Sequence, residues 1–153
     1  MKNKNLFLLF IVIVIIFIRM FIIDVAKVDG ESMMPNLKTN QLVLYLKTTS
    51  IISRFDIIIL KIDDNYYIKR VIGLSNEHIQ YIDNKLYVNG VETDEKFLKT
   101  ETTDFKLENI SPYSVIPDDY YLVLGDNRVN SHDSRNYGLI HKSEIKGKVI
   151  FEN

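Results

Sequence analysis

Residues 66–74, YYIKRVIGL, place Tyr67, Lys69, Val71 and Gly73 on one side of an alternating pattern and Ile68, Arg70 and Ile72 on the other. A period of two in a segment rich in aromatic and β-branched side chains predicts a strand. Working outward, QLVLYLK (41–47) sets Leu42, Leu44 and Leu46 on one face, and FDIIIL (55–60) is a short apolar run. IQYI and KLYV, residues 79–82 and 85–88, flank Asp83-Asn84 and end at Asn89-Gly90, turn pairs that accept positive φ, so 79–91 predicts a hairpin. YYLVL (120–124) and KVIF (148–151) supply later strands, and beyond residue 27 no segment sustains a helical stripe. The expectation is a mainly β domain, residues 24–153, of antiparallel β-sheets that pack or curl into a barrel-like form. The polar, irregular stretch 92–117 predicts a surface flap.

The amino-terminal segment has another character. Leu6–Ile18 is uninterruptedly apolar, Arg19 intervenes, and Met20–Ile23 continues the run up to Asp24. As a helix, residues 6–23 would span about 27 Å, close to the roughly 30 Å hydrocarbon core of a bilayer. Arg19 stands near the end, where its stem can lift the guanidinium to the headgroups. A cleaved secretory signal would need small residues at its processing site, and Asp24-Val25-Ala26 puts a carboxylate there. The expectation is one uncleaved transmembrane helix at 6–23 behind a short terminus, 1–5, whose side of the membrane hydropathy alone does not fix. Lys2 and Lys4 precede the span while Arg19, Lys27 and Lys38 lie at or past its other end, so positive charge alone favours neither orientation.

Lys and Arg total 19 against 20 Asp and Glu, a net charge of −1. Residues 1–27 hold four of the basic side chains and one of the acidic, so the remainder carries 15 against 19, a net of −4. That balance lacks the basic field nucleic-acid binding requires. The absence of cysteine excludes disulfides and thiolate chemistry, and His78, His132 and His141 lack metal-site spacing, so no metal or cofactor is expected.

Three clusters hold the residues suited to chemistry. GESMMP (30–35) reads as a turn, or as a nucleophilic Ser32 on a strained loop. Lys69 reads as a solvated strand lysine, or as an amine desolvated by the apolar side chains on its face. Burial penalises the ammonium form, and a neutral amine can accept a serine's proton. The loop 125–138 holds more charged and hydrogen-bonding groups than a turn needs, as a buried positioning network would. A Ser32–His132–Asp133 triad is disfavoured, because neighbouring side chains on an extended segment point opposite ways.

Taken together, VDGESMMPNL (28–37), YYIKRVIGL (66–74) and GDNRVNSHDSR (125–135), in this order behind an apolar anchor, resemble the bacterial type I signal peptidases. The length and single anchor resemble the compact Gram-positive enzymes. The resemblance implies Ser32 as nucleophile and Lys69 as general base, and Ser131 as the hydroxyl that orients the lysine. It further implies a supporting Asp133–Arg135 ion pair and an Asp126 carboxylate facing Arg70. Val28, Met33, Leu37, Tyr67 and Ile68 match the apolar pockets that admit small side chains. Substrates would be secretory preproteins whose signals end in an A-x-A-like sequence, and the catalytic domain would lie on the outer face of the cytoplasmic membrane. Four positions depart from the family pattern. Gly30 stands where some members carry a serine that helps hold the oxyanion, Asn36 replaces a threonine, Phe55 a glycine, and Ser75-Asn76-Glu77 a Pro-Gly-Asp turn. The competing readings are a Ser–Lys processing peptidase with a narrow client and a silent homologue that binds signal peptides. Retention of both Ser32 and Lys69 separates the enzyme from the latter.

Overall fold

The structure is a computed structural model that describes residues 2–47 and 51–152; Met1, at the head of the expected terminus 1–5, and Asn153, at the end of the expected domain, lie outside the described residues. The chain begins with α1 (Lys2–Phe21) and continues with β1 (Ile23–Lys27), β2 (Leu42–Leu46), β3 (Ile57–Ile62) and β4 (Asn65–Gly73). Next come β5 (Ile79–Ile82), β6 (Lys85–Val88), β7 (Val91–Thr93) and β8 (Phe105–Lys106). β9 (Tyr120–Leu124), the one-turn α2 (Ser134–Tyr137), β10 (Ile140–His141) and β11 (Ile145–Glu152) complete it. A seven-stranded sheet has the order β1-β2-β11-β3-β4-β9-β10, and a four-stranded sheet the order β7-β6-β5-β8. Every pairing is antiparallel.

Helix α1 contains an 18-residue window, Lys4–Phe21, with mean hydropathy 2.4 and none of it buried against the domain, so it is long and apolar enough to cross a membrane. It stops two residues short of the expected end at 23. Ile23 already pairs with Leu46, and β-branched Ile23 and Val25 extend along β2 instead of continuing the helix.

β4 is the organising strand. Ile58 to Leu60 of β3 are buried, and β3 pairs along β4 with Ile58 opposite Lys69 and Ile57 opposite Arg70. Val71 joins a core with Ile58, Leu60, Val123, Ile140 and Ile145, whereas Ile72 joins a second with Ile79, Tyr81, Leu86, Leu107, Ile116, Leu122 and Leu124. The expected alternation fails at Gly73. The register slips between Val71 and Gly73, and a side chain at Gly73 would sit 2.5 Å from Ile116 and 2.8 Å from Ile79, on the Ile72 side. This β-bulge carries the strand out of the large sheet toward the small one. The hairpin forms as expected, with left-handed Asp83 (φ 49°) and Asn84 (φ 64°) turning β5 into β6, and Asn89 and Gly90 turning β6 into β7.

Residues 92–117 are mostly irregular, but they are tied down: Glu92 and Thr93 end β7, and β8 lies within the stretch, both in the small sheet. Thr102, Leu107 and Ile116 are buried, and β8 pairs with β5.

Candidate active site

Ser32 sits in the turns between β1 and β2. Val28 pairs its backbone with Gln41 and Asn40, closing the loop, while Met33, Leu37 and Val28 plug it into a core with Val43 and Ile57. Anchored from below, the loop raises Ser32 beside β4. Lys69 Nζ lies 2.7 Å from Ser32 Oγ. The lysine is 3% exposed. Burial is the main cause that drops its pKa from 10.5 to about 8, against the opposing pull of Asp133 and Asp126. Below that value the ammonium donates to Oγ; above it, the free amine accepts the hydroxyl's proton.

The adjacent residue faces the other way and does structural work. Arg70 donates from Nε and a terminal nitrogen to the two oxygens of Asp126, at 2.8 and 2.6 Å, and to Phe55 O at 2.9 Å, while Phe97 stacks on its guanidinium at 4.1 Å. Asp126 is fully buried, and Asn36 Nδ2 also donates to it at 2.8 Å. Strand alternation thus puts the candidate base on one face and the anchor of the polar loop on the other.

That loop is held at several points. Asn127 N donates to Ser32 O at 2.9 Å. Asp133, fully buried, accepts from Arg135 Nε and a terminal nitrogen at 2.8 Å each and from Gly125 N at 3.0 Å. Burial alone would raise its pKa, but the Arg135 guanidinium and the Gly125 amide outweigh it and hold the carboxyl below the usual range. Ser131 Oγ is buried beside Gly125, on the Asp133 side, and the expected bond to Lys69 is not formed. His132 is exposed and packs its ring against Tyr137, while Asp133 bonds to Arg135 and Gly125 and Ser32 Oγ to Lys69, so no triad assembles.

A cleft of about 310 Å³ opens at the dyad, lined by Ala26 and Lys27 of β1, Asp29, Ser32, Tyr45, Ile59 and Tyr66 to Lys69. Tyr67 and Ile68 therefore reach it directly. Val28, Met33 and Leu37 do not; they form the buried cluster on which Ala26 and Ile68 rest. Among the described residues the β1 edge is free at the end of the sheet, and β9 pairs only with Arg70 to Gly73, leaving the first half of β4 unpaired on that side.

Sequence reasoning assigns no role to Arg128, Glu95 or Thr100. Fully buried, Arg128 pairs with Glu95 and donates to Tyr81 Oη at 2.9 Å, Thr102 at 2.7 Å and Gly125 O at 3.0 Å. Thr100 Oγ1 donates to Asp126 O at 2.8 Å and accepts from Arg128 N at 3.1 Å. Residues 95–102 are thus a strap across the back of the 125–128 turn. Removing the carboxylate with Glu95→Ala leaves a buried guanidinium short of its charge partner. The expected loss is about 3 kcal/mol of unfolding free energy in denaturant titration of the detergent-solubilised chain. A loss under about 1 kcal/mol would mean the strap does not carry the turn.

A family model described as signal peptidase, peptidase S26, matches residues 1–152. The chain belongs to this family. It is 38% identical to signal peptidase I of Bacillus caldolyticus, over 92% of this chain and 84% of that protein. It is 39% identical to signal peptidase I V of Bacillus subtilis (strain 168), over 97% and 98%. The crystal structure of a signal peptidase I from Enterococcus faecalis V583 superposes with a TM-score of 0.61 at 36% identity, covering 67% of this chain and all of the enterococcal one. The family's mainly antiparallel β fold and its serine peptidase class are therefore those of this protein.

Set in the signal peptidase framework, the departures have local explanations. Phe55 has φ 70°, the left-handed region where glycine is at ease, and its ring sits edge-on to Phe97 at 5.2 Å. Asn76 has φ 67° and meets the turn's left-handed requirement. Asn36 bridges Phe97 O and Asp126 with its two amide hydrogens. Gly30, φ 86°, faces open space.

Proposed function

We propose that this chain is a membrane-anchored endopeptidase that removes signal peptides from secretory preproteins after small residues, using Ser32 and Lys69. The observation that carries the reading is the 2.7 Å approach of Lys69 Nζ to Ser32 Oγ with the lysine desolvated. Neutral Lys69 takes the hydroxyl proton as Oγ attacks the scissile carbonyl. The Ser32 backbone N–H is the oxyanion donor in a site where Gly30 offers no side-chain hydroxyl. The ammonium then protonates the leaving amine, and the freed lysine activates the water that hydrolyses the acyl-enzyme. Asp133–Arg135 and Asp126–Arg70 position the loop around the dyad, with Ser131 packed against its Gly125.

The substrate enters extended, adding backbone hydrogen bonds to the free edges of β1 and the first half of β4. Tyr67 and Ile68, backed by Val28, Met33 and Leu37, leave shallow apolar pockets for small side chains. Helix α1 crosses the cytoplasmic membrane with its amino terminus inside, and the catalytic domain lies outside, where the cleavage site emerges. No nucleic acid takes part.

The test is cleavage of a preprotein with an A-x-A signal by the detergent-solubilised full chain, with the new amino terminus read by mass spectrometry. Release of the mature protein is expected. An inert wild type on several such substrates would favour a narrow client or a silent signal-peptide binder. The rate should also report the base. Because the active form is deprotonated, kcat/KM falls about tenfold per pH unit below about 8 and levels off above it. A flat profile from pH 5 to 8 would remove Lys69 from that role.

A further inference from the structure

Only Ile22 separates the end of α1 at Phe21 from the start of β1 at Ile23. A one-residue joint has two soft dihedrals and would swing unless something held it. Lys47, which follows β2 directly, holds it from three sides. Its backbone N–H donates to Ile22 O at 2.8 Å, and Nζ donates to Arg19 O at 3.0 Å and Met20 O at 3.2 Å. The same ammonium pairs with the Asp24 carboxylate at 3.0 Å. Those carbonyls belong to the last helical turn, which has no partners of its own and carries the negative end of the helix dipole. One cation therefore ties the anchor's end to the first turn of the catalytic domain's edge strand.

The tie matters because β1 leads from the joint into the site. Ala26 and Lys27, at its far end, line the cleft with Ser32. At about 3.3 Å per residue the cleft stands on the order of 15 Å from the helix end. A signal peptide inserted in the bilayer presents its scissile bond at a height fixed by its own apolar length. On the reading of this chain as a membrane-anchored protease, we infer that Lys47 is a positioning residue. It locks the cleft at one height and tilt over the bilayer and so selects which bond of an inserted preprotein reaches Ser32.

The experiment uses the full chain reconstituted in phosphatidylethanolamine–phosphatidylglycerol vesicles, with two substrates. One is a membrane-inserted preprotein with an A-x-A signal, the other a water-soluble peptide spanning the same junction. The pair is partly exposed, at 28% and 30%, and ion pairs open to solvent add little to global stability, so Lys47→Met frees the joint without dismantling the cleft. Lys47→Met should cleave the peptide within twofold of wild type. It should cleave the preprotein at least fivefold more slowly and at additional neighbouring positions. Lys47→Arg, which can reach the same carbonyls and carboxylate, should restore rate and position. Unchanged rate and position on the preprotein would overturn the inference, as would a parallel fall on both substrates. A wild type that cleaves neither would instead overturn the protease reading, and this inference with it.

Discussion

Ser32→Ala and Lys69→Ala are each expected to reduce preprotein cleavage by about 10⁴-fold or more, with the double variant no worse than either. The two groups act as one unit across a 2.7 Å contact, so losing either leaves the other without a task. The informative companion is Lys69→Met, which keeps the apolar stem. Its predicted effects on activity and stability have opposite signs. The folded-state pKa of Lys69 is lowered, to about 8 from 10.5, so the native state resists carrying the charge. That cost is present in full below pH 8 and is relieved between about 8 and 10.5, where the unfolded chain binds more protons and stability rises with pH. Lys69→Met removes the cost. At pH 7 it should be dead yet more stable by about 1–3 kcal/mol, the trade expected when a catalytic group is buried for reactivity. An inactive Lys69→Met that is also several kcal/mol less stable would show that the lysine's bonds support the fold.

Gly125→Ala should cost about 10²-fold in rate, although residue 125 touches no substrate. A methyl group there would lie 2.2 Å from Ser131 Oγ, 2.6 Å from Ser131 Cβ and 2.5 Å from the carbonyl oxygen of Ser32. Gly125 cannot retreat, since its N–H is held by Asp133 and its carbonyl by Arg128. Ser32 must therefore move, and misplacing a nucleophile by about 1 Å costs about 10²-fold in rate. Overpacking adds about 1–3 kcal/mol of destabilisation. Combining Gly125→Ala with Ser131→Gly removes the Ser131 clashes and leaves the Ser32 one. The double variant should regain stability but not kcat. Activity of Gly125→Ala within threefold of wild type would show that the close approach is dispensable.

The features legible in the sequence are those with a local rule. The period of two in YYIKRVIGL separates Lys69 from Arg70, and the Asp-Asn and Asn-Gly pairs fix the hairpin turns. The apolar run marks α1. Its end was not legible. Between Phe21 and Asp24 no glycine or proline intervenes, and isoleucines suit a helix and a strand alike, so the first residue of β1, Ile23, is hidden inside the expected anchor. The bulge at Gly73 was missed because alternation carries no record of a register slip. The Glu95–Thr102 strap was missed for a different reason. Its partners lie about 30 residues away, and polar side chains that pair across such distances leave no period in the chain. Resemblance supplied the Arg70–Asp126 and Asp133–Arg135 pairs, which the structure forms, and the Ser131–Lys69 bond, which it does not.

The strand order has one more implication, and it concerns time. β11 lies between β2 and β3, so among the described residues the hairpin bearing Ser32 joins the strand bearing Lys69 within the large sheet only through residues 145–152, with the Asn127–Ser32 backbone bond as a loop contact outside that ladder. Residues 145–152 leave the ribosome after β1 to β10. Until they insert, the nucleophile and its base belong to two parts of the large sheet with no strand ladder between them. The topology thus works as an assembly interlock: a partly made or partly translocated chain carries all the reactive groups but not the surface that sets them face to face.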